Sequence, residues 1–184
     1  AELARWLVSP AAVPALDQAA AQPDPGSLAA ASRLRRDWAP DQAAAVLGQA
    51  ALQRRAAAKF GDRAAALFLT PAGLEQATRA DVAVWRAARF VAAGAREVVD
   101  LGCGLGADAL AFADAGLAVT AVEADPATAV LARANLGDRA RVVCGDAVER
   151  AGALLADGAA VFVDPARRTA AGRTWRVADF SPPW

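Results

Sequence analysis

Four acidic side chains mark the ends of four short apolar runs in the second half of the sequence. They are Asp100, Glu123, Asp146 and Asp164. A carboxylate accepts hydrogen bonds from hydroxyl and amino groups and stabilises a nearby cation. If the four runs are parallel strands, their carboxyl ends meet at one edge of a sheet, where ligands bind in such folds. The spacing therefore predicts one ligand site to which all four acids contribute.

A glycine-rich turn follows the first of these runs. The stretch Gly102-Cys103-Gly104-Leu105-Gly106-Ala107 satisfies the pattern G-x-G-x-x-G/A, which is typical of a nucleotide-binding loop between a strand and a helix. Its glycines lack a Cβ atom, so the backbone there can take a positive φ and approach a ligand closely. Two kinds of cofactor suit such a loop: a dinucleotide and S-adenosylmethionine (SAM).

The acid before the loop separates these two cofactors. Asp100 stands two positions before Gly102, where its charge would repel a pyrophosphate but would stabilise the sulfonium and ammonium groups of SAM. Glu123 can accept hydrogen bonds from the ribose hydroxyls of either cofactor, and Asp146 can accept one from an adenine amino group. We therefore favour SAM, with a nicotinamide-dependent oxidoreductase as the alternative.

Each acid also has a purely structural interpretation. Asp100 could stabilise the turn or the helix N-terminus after it. Asp146 could cap the helix that follows it, and Asp164 could cap a turn that Pro165 fixes. A catalytically inactive module with the same fold, which binds RNA or another partner, is a second alternative.

Composition removes several kinds of chemistry from this chain. The 184 residues contain no histidine and only two cysteines, Cys103 and Cys144. This excludes histidine-based acid–base catalysis and most zinc sites, and it suggests no disulfide framework. We expect no metal and a reduced, cytoplasmic setting without a membrane span or secretory leader. Basic and acidic residues number 20 each, so the net charge predicts no partner.

From Glu97 onward, strand-like and helical patterns alternate. Repeated strand–helix units predict an α/β fold with a parallel sheet and right-handed crossovers. The expected strands cover residues 97–101, 118–122, 141–144 and 159–163, and the expected helices cover 107–115, 126–136 and 148–155.

Residues 1–70 predict an all-α N-terminal domain, because they show helical periodicity and no strand-like alternation. Ser27 can cap a helix that runs to Arg36, and a longer helix is expected from Asp41 to Phe60. This bundle either packs on the sheet or recognises substrate, and packing is the simpler interpretation.

One more helix is expected just before the first strand. Thr70 can cap it and Pro71 can take its first position, and it would run from Ala72 to about Ala93. Its charged residues, among them Arg86, are expected for the most part to face solvent. Its expected buried side chains are Leu74, Ala77, Val82, Trp85, Ala88 and Val91.

These motifs resemble those of class I SAM-dependent methyltransferases over about residues 95–168. Residues 67–79 and 163–168 more narrowly resemble an actinobacterial methyltransferase family with a C-terminal THUMP-like domain. That family is distantly similar to RNA guanine-N2 methyltransferases such as trimethylguanosine synthases. The matching stretches are Val98–Gly106 for motif I, Ala121–Asp125 for motif II, Gly145–Ala147 for motif III and Asp164–Arg167 for motif IV.

The resemblance implies a Rossmann-like sheet whose first four strands have the order 3-2-1-4. This sheet would belong to a SAM-binding domain at residues 71–184 that is incomplete at its C-terminus, so that a further segment or another chain completes it. The resemblance also implies methyl transfer to RNA, on an exocyclic base amine such as guanine N2 or adenine N6. The implied SAM-binding residues are Thr70, Asp100, Gly102, Cys103, Gly104, Gly106, Glu123, Ala124, Asp146 and Ala147.

Two stretches are candidates for the motif that holds the methyl acceptor. Amino-group methyltransferases carry [DNS]-P-P-[FYW] directly after strand four, whereas here Ser181–Trp184 satisfies that pattern further downstream. We favour Asp164 and Pro165 as the catalytic residues, with Trp184 as a base-stacking platform. Arg167 and Arg168 begin an arginine-rich loop that suits RNA phosphates, although solvated arginines would fit nearly as well.

Overall fold

The computed structural model describes residues 1–155, 159–165 and 176, together with the backbone of residues 168–169 and 172–173. Helices occupy most of the first half of the chain and alternate with strands in the second. The α-helices in these ranges are α1 Glu2–Leu7, α2 Val13–Ala20, α3 Leu28–Leu34, α4 Pro40–Phe60, α5 Pro71–Gln76, α6 Ala80–Ala92, α7 Ala107–Asp114, α8 Pro126–Leu136 and α9 Ala147–Leu154. Short 3-10 segments cover Pro10–Ala12, Gly61–Ala66 and Gly137–Arg139.

A four-stranded parallel sheet forms the second half. Its strands are β1 Glu97–Leu101, β2 Ala118–Glu123, β3 Arg141–Cys144 and β4 Ala160–Phe162, in the order β3-β2-β1-β4. The α/β class and this strand order confirm the sequence prediction. Helices α7 and α8 cross from one strand to its neighbour, whereas α9 returns the chain to the far side of β1. The strand order therefore reverses between β1 and β4, where parallel sheets open a ligand crevice.

Valine-rich stretches explain why these strands form. The β-branched side chains suit a pleated sheet that is buried on both faces, and Val98 and Val99 are both fully buried. In the register, Val98 lies opposite Val119 of β2 and Ala160 of β4. The strand ends at the glycine turn, so the loop opens at the carboxyl edge of the sheet.

Two hydrophobic clusters cover the sheet. The smaller one packs Val99, Leu101 and Val122 against Ala147 of α9. The larger one joins the other sheet face to the N-terminal helices, with members that include Leu34, Val46, Leu69, Val98, Phe112 and Leu136. The helices before residue 70 and the sheet thus share one core, while their division into two domains, 1–70 and 71–184, stays a prediction.

The long helix expected over residues 72–93 is wrong, because the chain breaks there into α5 and α6. Ala77 and Arg79 have extended ψ values of 136° and 147°, which interrupt the helix and turn Thr78 toward α7. The break also shifts which face of α6 is buried. The core side chains of α6 are Ala83 and Ala87, whereas Val82, Trp85 and Val91, expected inside, are 39–59% exposed.

The segment after β4 also differs from expectation. In place of the predicted loop, Arg168–Thr169 (β5) and Gly172–Arg173 (β6) pair as two short antiparallel strands. Arg167 and Ser181–Trp184 lie outside the described residues. Among the described helices, none combines the length and apolarity needed to cross a bilayer.

Candidate functional site

A cavity of about 490 Å³ opens at the carboxyl edge of the sheet, within the size range of small-molecule sites. It brings together most of the predicted site residues. Gly106 is buried behind the loop rather than lining the cavity, only the backbone of Arg168 is described, and Arg167 and Trp184 fall outside the described ranges. The predicted residues that line it are Thr70, Asp100, Gly102, Cys103, Gly104, Glu123, Ala124, Asp146, Ala147, Asp164 and Pro165.

Asp100 is the most constrained of the four acids. It is 2% exposed at the wall of the cavity, and its Oδ2 atom makes no hydrogen bond within the described part of the chain. Burial raises the pKa of this carboxyl well above its ordinary value, and the charges of Asp108, Asp164 and Glu123 raise it further. A buried acceptor without a partner favours a ligand that brings a donor or a positive charge.

The glycine loop is held by β2. The amides of Gly102 and Cys103 both donate to the carbonyl of Val122 at 2.9 Å. Gly104 and Gly106 have φ values of 56° and 87°, a left-handed conformation that favours glycine. Gly102 and Gly104 thus present bare backbone to the cavity, while the partly buried Cys103 and its neighbours Leu105 and Ala107 also line it. Burial raises the pKa of the Cys103 thiol, which keeps it protonated and argues against a nucleophilic role.

Glu123 stands at the end of β2 and faces the loop. Its Oε2 accepts the Gly104 amide at 3.0 Å, and its Oε1 accepts the Asp125 amide at 2.8 Å. Two backbone donors therefore fix the orientation of the carboxylate. Each carboxylate oxygen can accept a further hydrogen bond, so Glu123 can bind a ligand diol while it supports the loop.

Asp146 caps the helix that follows it, as its structural interpretation predicted. Its Oδ1 accepts the amides of Val148 and Glu149 at 2.8 and 3.1 Å and so caps α9. The side chain nevertheless lines the cavity, and its other oxygen has no role in the cap. The capping interaction and a contact with a ligand are therefore compatible.

A polar network that sequence reasoning missed joins three elements beside Asp100. Arg86 of α6 donates through Nη1 to Asp108 of α7 at 3.1 Å and to Thr78 at 3.2 Å. The same atom lies 3.1 Å from Asp164 after β4, and Thr78 donates to Asp108 at 2.6 Å. Arg86 thus binds two acids that line the cavity, Asp108 and Asp164, and its predicted solvent-facing role is wrong.

Charge and packing both hold this network together. Burial alone would lower the pKa of Arg86, but Asp108 and Asp164 more than offset it, and the pKa is raised. The guanidinium lies 5.1 Å above the ring of Phe162. The sequence signals for the network were Asp164, predicted as a site residue, and Asp108, a carboxylate one residue into the helix after the glycine loop.

Two family models match the chain. Residues 99–163 match a model described as a methyltransferase domain. Residues 1–56 match a model described as a domain of unknown function (DUF8688). The methyltransferase-domain match runs from within β1 to just beyond β4, and it includes most of the residues that line the cavity.

Relatives and a solved structure that resemble the chain are also named as methyltransferases. Over 139 residues, the chain is 32% identical to uncharacterized S-adenosylmethionine-dependent methyltransferases of two Mycobacterium tuberculosis strains, CDC 1551 / Oshkosh and ATCC 25618 / H37Rv. That similarity covers 71% of this chain but 37% of each relative, so the chain spans little more than a third of their length. A crystal structure from Porphyromonas gingivalis W83, provisionally named a methyltransferase, superposes with a TM-score of 0.67 at 27% identity, over 94% of this chain and 44% of that one.

Proposed function

Since residues 97–163 form a class I SAM-dependent methyltransferase domain, we propose that the chain binds SAM at the carboxyl edge of its sheet and transfers the methyl group to a nucleophile. The observation that carries this proposal is the buried carboxylate of Asp100 beside the glycine loop, whose Oδ2 has no hydrogen-bond partner among the described residues. A pyrophosphate there would meet a cluster of like charges, whereas a cationic ligand would relieve them.

The remaining acids and the loop fit the other parts of SAM. Glu123, already oriented by two amides, would accept hydrogen bonds from the ribose hydroxyls. Asp146 would use Oδ2 for the adenine amino group, and the loop backbone at Gly102 and Gly104 would pack against the nucleoside. Asp100 would then face the sulfonium and ammonium groups. The adenosine half thus lies toward β2 and β3, and the methionine half lies toward β1 and β4.

SAM supplies an electrophilic methyl group when it is bound. The chain itself positions the acceptor. Asp164 is 48% exposed by its side chain and lines the cavity together with Pro165. Its carboxylate would accept a hydrogen bond from the amine that receives the methyl group, and it would so orient the nitrogen lone pair.

We extend the proposal to RNA as the acceptor, with an exocyclic base amine, guanine N2 or adenine N6, as the target. The support is the arginine-rich stretch that directly follows Asp164 and Pro165 in the chain and contains Arg167 and Arg168. Guanidinium groups there would bind phosphates, and Trp184 would stack on a base.

Titration calorimetry with SAM, S-adenosylhomocysteine and NAD tests the cofactor. We expect SAM to bind and NAD not to bind. Asp100→Asn should weaken SAM by about tenfold or more, since a charged hydrogen bond is lost. Asp138→Asn removes an exposed carboxylate away from the cavity and serves as the control. Binding of NAD alone, or equal SAM affinity in both variants, would refute the cofactor proposal.

Transfer of labelled methyl groups tests the acceptor. The full protein, SAM and either total RNA or total protein are incubated, and the label is followed by nucleoside analysis. We expect label on a base amine of RNA, reduced several-fold by Arg167→Gln with Arg168→Gln. If SAM binds but label enters only protein, the RNA proposal fails and the cofactor proposal stands.

A further inference from the structure

One part of the cavity wall comes from the segment Thr70–Thr78, which precedes β1. Its cavity-lining members include Thr70, Gly73, Ala77 and Thr78. This segment contains the short helix α5 and the break before α6. Six helical residues in isolation form no stable helix, so the segment depends on other elements to keep its shape.

Helix α4 of the N-terminal region holds the start of this segment. Gln49 is 6% exposed, and its side-chain amide donates to the carbonyl of Leu69 at 2.6 Å and accepts the Leu69 amide at 2.9 Å. This pair of bonds satisfies both backbone groups of the residue before Thr70. From the other side, Asn135 of α8 pairs in the same way with Phe68.

Helix α4 also holds the end of the segment. Lys59 donates through Nζ to the carbonyls of Leu74, Glu75 and Ala77 at 2.6, 3.0 and 3.1 Å. These are carbonyls at the C-terminal end of α5, which a cation stabilises. One side chain thereby stops the helix and directs the chain into the break that presents Thr78 to Asp108.

We propose that the N-terminal helical region is a functional part of the cofactor site, with Gln49 and Lys59 of α4 as positioning residues for the wall formed by Thr70–Thr78. The inference rests on the proposed SAM site. Thr78 belongs to the network with Asp108 and Asp164 on the β1–β4 side, so this wall faces the methionine half of SAM. Glu123 and Asp146 hold the adenosine half without help from α4.

The chain offers a matched control for Lys59. Arg54, also on α4, donates to the carbonyls of Pro23, Ala20 and Gln22 at the end of α2 and in the turn after it. Arg54→Met and Lys59→Met each remove one cation and three bonds to backbone carbonyls. They differ in whether those carbonyls belong to the cavity wall. Lys59→Gln is a milder second variant, and Lys59→Arg keeps the charge and the donors as a rescue.

Binding is measured by calorimetry with SAM and with methylthioadenosine, which lacks the amino acid part. We expect Lys59→Met to weaken the binding of SAM by about tenfold and the binding of methylthioadenosine by less than about twofold. Arg54→Met should leave both unchanged, and Lys59→Arg should restore SAM. Equal weakening of both ligands, or no weakening in either Lys59→Met or Lys59→Gln, would overturn the proposal.

Amide hydrogen exchange gives a measurement that needs no ligand. In Lys59→Met, exchange at residues 74–78 should rise by about tenfold, while Arg54→Met should leave those amides unchanged. If the wild-type protein binds no SAM, the cofactor proposal fails on its own. Unchanged exchange at residues 74–78 in Lys59→Met would instead refute the positioning role of α4.

Discussion

The buried carboxylate of Asp100 destabilises the ligand-free protein whenever it is ionised. Its pKa in the folded state is raised above the ordinary value of 3.8, chiefly by burial. For an acid with a raised folded pKa, the favourable contribution is complete below the unfolded pKa and is lost as pH rises through the folded pKa. The residue best suited to a cationic ligand therefore opposes folding at neutral pH.

Asp100→Asn should separate these two effects. We expect the variant to have a higher melting temperature than wild type at pH 7 without ligand, because Asn cannot ionise and the unfolded chain then gains nothing from deprotonation at this position. The difference should shrink toward pH 4, close to the ordinary pKa of 3.8, because protonation of Asp100 in the folded state then costs little. Thermal unfolding between pH 4 and 8 measures this, with Asp138→Asn as the control. A constant difference across that range would contradict the assignment.

Binding of SAM should release a proton from Asp100. A cation stabilises the ionised carboxylate, so SAM affinity should rise with pH until the raised pKa of the free protein is passed. Calorimetry in two buffers with different ionisation enthalpies measures the proton count. The count should fall to zero in Asp100→Asn, and an unchanged count there would assign the proton to another group.

Asp146 and Asp125 form a second comparison between single residues. Each caps a helix, α9 and α8 respectively, but only Asp146 lines the cavity. Replacing either with Ala should cost about 1 kcal/mol in the free energy of unfolding by urea. SAM affinity should fall only in Asp146→Ala. If both variants bind SAM like wild type, Asp146 is a cap and nothing more.

Sequence reasoning predicted residues better where their signal was local. The acids at strand ends and the glycine loop were found because each lies in a few consecutive positions with a recognisable pattern. Thr78, Arg86 and Asp108 were missed as a group, because they come from three segments that meet only in the folded chain. A charged residue in a helix does not reveal from sequence which face it occupies.

At the scale of elements, the same distinction between local signals and contacts among distant segments explains why the helix predicted over residues 72–93 was wrong. The strands and the helices α7 and α8 follow local periodicity and ended within a residue or two of their predicted bounds. The break between α5 and α6 contains no proline or glycine at residues 77–79. It depends instead on Lys59 upstream and on Asp108 downstream, and such contacts leave no mark in the local sequence.

The network at this break should behave as a coupled unit. Arg86→Met would leave Asp108, which is 8% exposed, without its ion-pair partner, at a cost of about 1–3 kcal/mol. The double variant with Asp108→Asn should be less destabilised than the sum of the single variants by roughly 1 kcal/mol. Urea unfolding measures this cycle. The exposed pair Arg63–Asp114 is the control, with a coupling below about 0.5 kcal/mol, and additive effects in the Arg86 cycle would contradict the network.

At the scale of the molecule, two expectations compete. The prediction of separate domains at residues 1–70 and 71–184 implies two units that could unfold independently. The larger hydrophobic cluster instead runs from Leu34 and Val46 through Leu69 to Val98 and Leu136. Gln49 and Lys59 add hydrogen bonds from α4 to the segment before β1. Elements with a common core and common polar contacts unfold together.

We therefore expect one cooperative unfolding transition, with amides of α4 and β1 exchanging at the same free energy of opening. SAM should raise the free energy of opening in α4 and in β1 by the same amount, RT ln(1 + [L]/Kd), since ligand bound to one cooperative unit stabilises all of it. Hydrogen exchange with and without SAM measures this. Stabilisation confined to β1 and its neighbours, with α4 unchanged, would favour two independent domains. Equal stabilisation would mean that the helices before residue 70 and the sheet unfold as one unit, so that ligand bound at the sheet also stabilises those helices.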